Sequence, residues 1–262
     1  MVVDIAGFPV RLNASDGPLS RLLSDRYRNF LAPASLAAAH FDLTVVPAPP
    51  CHEAPELAVH ADGDRWHMRR GDFVAEWNGL TRRGFIHQTL NPYSTDSVLR
   101  IVHSIVLGSD AGFLLHASSF VLDGFAFLFT GPSGAGKTTI ARLAPPEAVL
   151  LTDEISCVRR TADGWTAFGT PFAGELGTSG SKMSAPIKTV FGLVQGDVHR
   201  IDPLAPADAV RTLMRNILFF ARDPRCERRI LDTVCQLTET VRVSRLTFAR
   251  DAGVWTTIRQ AQ

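Results

Sequence analysis

The chain has 262 residues, nearly half of them hydrophobic and one fifth charged, with a formal charge of +1. That length bounds one large domain, or one domain with a smaller partner, and the near-neutral charge argues against a nucleic-acid binder that works by neutralising phosphates. Cys51, Cys157, Cys226 and Cys235 form no C-x-x-C pair, which disfavours a disulfide framework or zinc site and fits a reducing cytoplasm.

The N-terminal MVVDIAGFPVRL lacks a basic region before a long apolar run, so no signal peptide is expected. VVDIA and FPVRLN alternate like strands. Leu19, Leu22, Leu23, Tyr27 and Leu31 recur at helical spacing behind Asp16, a candidate N-cap. FDLTVV reads as a strand and VPAPPCHEAPE, with four prolines, as a loop. RWHMRR, FVAEWN and GFIHQT read as strands joined by turns at Arg70-Gly71-Asp72 and Asn78-Gly79. Alternation in a half-exposed meander accounts for most of their Arg and His residues.

After Asn91-Pro92 the spacing of Val98, Ile101, Val102 and Ile105 predicts a helix over 95–107. A domain boundary is expected there: 1–93 a β-rich N-terminal region, 94–262 a catalytic domain. GFLLHASSFVL and GFAFLFT follow as strands. His116, Asp123 and Gly124 interrupt this most apolar stretch, so it reads as buried strands and not a membrane span. A short helix and AVLLTDE come next, then a hairpin of ISCVRR and WTAFGT around Ala162-Asp163-Gly164. Residues 172–186, rich in Gly, Ser and Thr, read as a mobile segment. The remainder reads as the strand IKTVFGLVQ, helices over about 206–220 and 224–239, the strand RVSRLTFA and a terminal helix. Strands interleaved with helices imply an α/β core whose sheet need not be purely parallel.

The chemistry concentrates in GPSGAGKT, Gly131 to Thr138, which matches G-x-x-x-x-G-K-T between an apolar run and a helical run. Glycines let successive backbone N–H groups turn inward onto phosphate oxygens, and the following helix start adds positive dipole. The expected phosphate contacts are Gly131, Ser133, Gly134, Ala135, Gly136, Lys137, Thr138 and Thr139. Lys137 would reach the terminal phosphates and the Thr138 hydroxyl would hold Mg²⁺. Chance alone would place the four fixed positions in about one chain of this length in a hundred. Sixteen residues after Lys137, Asp153 and Glu154 end an apolar strand. A helix and one connection fill that gap, which would return the acids beside the loop to bind Mg²⁺ or take a hydroxyl proton. His116, alone in an apolar strand, is on pattern more often a core or edge residue.

Taken together, "LLHASSFVLDGFAFLFTGPSGAGKTT…AVLLTDE" resembles the catalytic domain of the HPr kinase/phosphorylase family, whose fold is related to the nucleotide-binding core of phosphoenolpyruvate carboxykinases. The resemblance covers about residues 110–200. It implies a P-loop-containing α/β core with a mixed sheet, with ATP and Mg²⁺ as cofactors. It further implies Asp153 as the base for an acceptor serine, Glu154 as metal support beside Thr138 and Asp153, and His116 near the transferred phosphate. The chain departs from the family at Glu154, where a second Asp is usual, and at Gly169-Thr170-Pro171-Phe172, where bifunctional members carry an acidic-Ile-Arg-Gly stretch. It is closer to short stand-alone relatives, some of them in peptide-tailoring clusters, including those for lasso peptides. The implied activity is phosphorylation of a serine on a peptide or small protein, without nucleic acid or membrane as partner; a homo-oligomer stays open. The competing readings are a kinase of a small hydroxy metabolite such as free serine, and a non-catalytic nucleotide-binding regulator. Glu175, Lys182 and Lys188 flank the Gly/Ser segment; they could meet the acceptor or the γ-phosphate or be solvated surface, and each alone reads more readily as surface.

Overall fold

The computed structural model describes residues 1–47, 56–177, 180–220 and 223–261. Most of the proline-rich loop expected at 46–56, with Cys51, lies outside the described residues, as do two positions of the Gly/Ser segment. Six α-helices and two mixed sheets make up the described chain. Contacts cluster into two units, Met1–Val106 with Phe219–Arg225, and Leu107–Leu218 with Cys226–Gln262.

The first unit holds strands β1 (Val2–Ile5), β2 (Phe8–Ala14), β3 (Ala39–Val45), β4 (Ala58–Asp62), β5 (Arg65–Arg70), β6 (Phe73–Asn78) and β7 (Arg83–Gln88). They form one sheet in the order β1-β2-β3-β7-β6-β5-β4. The pairings β2–β3 and β3–β7 are parallel, so the unit is more than the meander its alternation suggested. Alternation does sort the faces: Trp66 and Met68 of β5 are buried while Arg65, His67 and Arg69 are exposed. The β1–β2 turn places Ala6 and Gly7 at φ 54° and 78°, as a tight two-residue hairpin requires.

Helix α1 (Gly17–Arg26) starts where expected, with Asp16 Oδ1 accepting the Leu19 N–H at 2.9 Å. It ends before Leu31, which bridges to Val3 instead. Helix α2 (Pro92–Ser109) begins three residues earlier than its apolar stripe predicted. Pro92 needs no N–H partner at the first position, and Asn91 Oδ1 accepts the Tyr93 N–H at 3.0 Å. Asp96 on α2 is 3% exposed, and its carboxylate receives Arg26 Nε at 2.8 Å, a second bond from Arg26 Nη2 and the Tyr27 hydroxyl. Burial, then the Asp96 charge, pushes the Tyr27 phenol well above its ordinary range and keeps it a donor.

The second unit holds strands β8 (Gly112–Leu122), β9 (Phe125–Thr130), β10 (Val149–Thr152), β11 (Ile155–Thr161), β12 (Gly164–Phe168), β13 (Ser184–Gln195), β14 (Arg200–Pro203) and β15 (Arg242–Phe248). Its helices are α3 (Lys137–Arg142), α4 (Pro206–Met214), α5 (Pro224–Thr240) and α6 (Gly253–Gln260). Strand β9 lies between β8, antiparallel, and β13, parallel. β8 also pairs β11, β11 pairs β12, and β12 returns to β13, so the pairing closes a circuit through β9. The β11–β12 hairpin turns at Ala162-Asp163, with Gly164 at φ 108°, as the sequence predicts. One apolar core, including Leu115, Leu128, Val190, Leu213 and Val234, lies among β8, β9, β13, α4 and α5. A second, including Phe129, Ile140, Phe191, Phe248 and Trp255, lies among β9, β13, β15, α3 and α6.

Helix α4 stops at Met214, short of the expected 220. There the chain turns to run beside β8: Ile217 bridges Leu115, and Asn216 O and the Leu218 N–H bond β8 at 2.8 and 3.0 Å. Strands β4 and β14 are too short and too polar to have signalled themselves. Among the described residues, no helix is long and apolar enough to cross a membrane.

Asp96 compensates a guanidinium that is itself 14% exposed. Asp96→Ala should therefore destabilise the first unit by about 3–5 kcal/mol, the cost of leaving a buried charge unpaired, read as a lower urea midpoint. Asp96→Asn should cost less, because its amide oxygen still accepts one of these bonds.

Candidate functional site

Strand β9 ends at Thr130, and the segment from Gly131 to Gly136 leads directly into α3. Gly134 and Gly136 hold φ of 78° and 106°, conformations that side chains resist. Gly136 also lies against Phe248, where an added Cβ would come within 2.6 Å of the ring. Lys137 is 8% exposed, and its Nζ folds back to donate to Gly131 O at 2.9 Å and Pro132 O at 3.1 Å. Burial lowers the Lys137 pKa from its ordinary value; Glu154 and Glu175 oppose that shift without cancelling it.

The acidic pair stands between β10 and β11, both of which run antiparallel to β8. The register against β8 slips by one residue between Leu150 and Thr152, a bulge of the kind that re-aims side chains. Asp153, 5% exposed, follows the bulge. Its Oδ1 accepts the Gly174 N–H at 2.9 Å and its Oδ2 the Leu176 N–H at 3.0 Å. Between those two donors, Glu175 accepts the Thr138 hydroxyl at 3.1 Å. The part of the Gly/Ser segment at 174–176 is thus laid over both the acid and the threonine. Gly174 suits that approach, since a Cβ there would meet Glu154 Cβ at 2.9 Å.

His116 is the last residue of β8 paired with β11, opposite Ile155. Its N–H donates to Asn216 O at 2.8 Å, and its carbonyl accepts the Thr130 hydroxyl at 2.8 Å. That places the imidazole-bearing residue at the junction of β8, the acidic pair and the strand that carries the Gly-rich loop.

One cavity of ≈350 Å³ gathers these groups. His116, Ser133, Gly134, Gly136, Lys137, Thr138, Thr139, Asp153 and Glu154 line it, nine of the positions singled out from sequence. Gly131 lines a different cavity, and Ala135 packs against the Phe129 core. Of the three residues flanking the Gly/Ser segment, for which the sequence favours the surface reading over contact with acceptor or phosphate, Glu175 lines the site, whereas Lys182 and Lys188 do not. Gln195 and Arg250 were missed altogether. Gln195 Nε2 donates to Gly134 O at 2.5 Å, and Arg250 Nη2 donates to Gln195 Oε1 at 3.0 Å, a two-step brace on the loop. β9, β13 and β15 are parallel neighbours, and residues beyond the carboxyl ends of such strands gather at ligand sites. Knowing that strand order would have pointed to both residues; the order is not readable from the chain.

The donors suit a hard cation better than a soft one: a hydroxyl from Thr138 and carboxylates from Asp153, Glu154 and Glu175. Among the described residues, no group of three His, Cys, Asp or Glu side chains is arranged to hold a metal alone.

A family model described as SynChlorMet cassette protein ScmC matches residues 87–261. No curated protein matches the chain. Among solved structures, the HPr(Ser) kinase/phosphatase from Coxiella burnetii aligns over 56% of this chain and 95% of that one, at 10% identity and a TM-score of 0.31. At that score the likeness carries no weight for function.

An oxyanion beside Lys137 adds opposite charge and raises its lowered pKa. Binding pyrophosphate at about pH 10 should therefore take up protons, measured by calorimetry in two buffers of different ionisation enthalpy. Lys137→Met should abolish the uptake. Proton release on binding would show that the lysine does not meet the anion.

Proposed function

The chain belongs to the family described as SynChlorMet cassette protein ScmC, and we propose that it is a Mg²⁺- and ATP-dependent kinase acting on a serine hydroxyl of a peptide or small protein. The observation that carries this reading is the meeting of Lys137, Thr138 and Asp153 in one cavity. A phosphate-binding loop alone serves many purposes. A buried carboxylate within the same cavity adds the group that an aliphatic hydroxyl needs before it can attack phosphorus.

On this reading the backbone from Gly131 to Gly136 cradles the phosphates, and Lys137 leaves the Gly131 and Pro132 carbonyls to neutralise them. Ser133 and Thr139 border the same space. Mg²⁺, when bound, would supply charge neutralisation. Thr138, Glu154 and Asp153 would hold it. Asp153 takes the acceptor hydroxyl proton as the oxygen–phosphorus bond forms and the bond to the leaving oxygen of ADP breaks. His116, near the transferred group, assists by orienting it. Gln195 and Arg250 keep the loop in its phosphate-ready form.

One observation favours a different reading. Asp153 already accepts two backbone N–H groups and is nearly enclosed, as in a protein that senses a nucleotide without transferring phosphate. Intact-mass spectrometry separates the two. Purified protein would be incubated with Mg²⁺-ATP and, in turn, free serine, HPr and serine-containing peptides, with Lys137→Ala in parallel. Gain of one phosphoryl group on a peptide, absent in the variant, is the expected result. Transfer to free serine alone would replace the peptide reading with the metabolite one, and ATP binding without any transfer would favour the regulator.

Asp153→Asn should lower transfer by about 100-fold or more, the usual contribution of a positioned base, with ATP affinity nearly unchanged. Retained transfer would remove Asp153 from the role of base.

A further inference from the structure

A second cavity, ≈440 Å³, opens on a different part of the phosphate loop. Its walls are Gly131-Pro132, the β13 stretch Gly192–Val194 and one side of α4. The helix comes close because Gly192 has no side chain: a Cβ there would meet Thr212 Cγ2 at 3.0 Å. Arg245 on β15 pairs with that same glycine in register and lines the cavity beside it. Arg211 and Arg215, one helical turn apart, line the opposite side with Thr212 and Asn216.

The charge is uneven. Three guanidiniums face the space against one carboxylate, Asp208, and Arg211 already bonds that one. Arg215 and Arg245 have no side-chain hydrogen bond or ion pair among the described residues. Guanidinium forks match phosphate and carboxylate oxygens two at a time, and a cavity of this size is within the range of small-molecule sites. Bare arginines gathered around a pocket with hydroxyl and amide groups between them are the arrangement expected of an anion receptor.

We propose that this cavity is a second binding site, separate from the Lys137 cavity, for a small molecule carrying two oxyanion groups. One group would lie between Arg215 and Arg245 and the other against Arg211 and Thr212. The site is wired to the first through two backbone groups. Gly131 O, on its wall, accepts Lys137 Nζ, and Asn216 O accepts the His116 N–H. An occupant would therefore stiffen both the loop and the His116 strand. The proposal stands on this cavity alone and does not depend on the kinase reading.

Pyrophosphate and citrate serve as probes, titrated by calorimetry into full-length Lys137→Ala, which weakens anion binding at the phosphate loop. At least one should bind at millimolar concentration or better, and the Arg215→Ala/Arg245→Ala double change added to that background should weaken it about tenfold or more, the loss of at least one charge-assisted contact. Both arginines are exposed, so the fold should tolerate their removal, and Arg245→Glu alone offers a charge reversal at the same place. Pyrophosphate alone binding would assign phosphate groups to the ligand; citrate alone would assign carboxylates. No binding of either probe, or equal binding with and without the two arginines, overturns the proposal.

Discussion

The Leu151 carbonyl sits where only glycine can approach it. A Cβ on Gly180 would lie 1.9 Å from that oxygen, and one on Gly169 would lie 2.8 Å from it and 1.9 Å from Ser181 O. Leu151 is also the residue at which the register against β8 slips, and its carbonyl receives the Ser181 N–H at 3.2 Å. The bulge frees a carbonyl from its ladder, and the glycines let a neighbouring segment come close enough to use it. The same slip sets the register in which Asp153 and Glu154 follow. The position of the acidic pair, and of the loop that covers it, thus depends on one backbone oxygen that bonds outside its ladder and on two missing side chains.

Charge within the cavity follows from that arrangement. Lys137 and Arg250 face Asp153, Glu154 and Glu175 across ≈350 Å³. The acids already outnumber the cations before any phosphate enters. A polyphosphate would bring several more negative charges into a partly buried space, where Coulomb terms are several-fold larger than in water. Lysine and arginine together cannot offset that sum, so on the kinase reading a divalent cation would have to enter with the nucleotide. Lys137 satisfies itself on the loop carbonyls, which spares it an unpaired buried ammonium.

Legibility in the sequence followed locality. The Gly-rich loop, the capped helix behind Asp16 and the turn at Ala162-Asp163 are each encoded within a few residues, and each was readable. Asp153 and Glu154 were readable too, because an apolar strand ending in acids near a phosphate loop is a local pattern with one distant reference point. Gln195 and Arg250 were not, and Glu175 only as one of two readings. Glu175 looks like any polar residue of a Gly/Ser stretch until Gly174 and Leu176 are seen to bond Asp153. Gln195 and Arg250 reach the loop only because β13 and β15 lie beside β9, and parallel neighbours leave no mark on the chain between them. Helix α4 was over-extended for a related reason: its apolar spacing continues through Ile217, but that residue is used to flank β8.

The loop at 174–176 joins two tasks that could have been separate. Its backbone N–H groups hold both oxygens of Asp153, and its one carboxylate holds the Thr138 hydroxyl. Withdrawal of the loop would release the acid and the threonine together, whereas release of either one alone would leave the other bond in place. On the kinase reading, the base and a metal ligand then become available in a single movement. The two amide bonds and the hydroxyl bond must be exchanged for contacts to substrate and cation of comparable strength, each worth on the order of 1 kcal/mol net, more where a charge is involved. A nucleotide that supplied only phosphate contacts would meet the first half of that exchange. An acceptor that replaced the Gly174 and Leu176 donors at Asp153 would meet the second, so the carboxylate would be freed chiefly when a hydroxyl is there to use it. On that reading such coupling would protect ATP from water, because an uncapped base beside a bound triphosphate would otherwise activate the smaller and more abundant nucleophile.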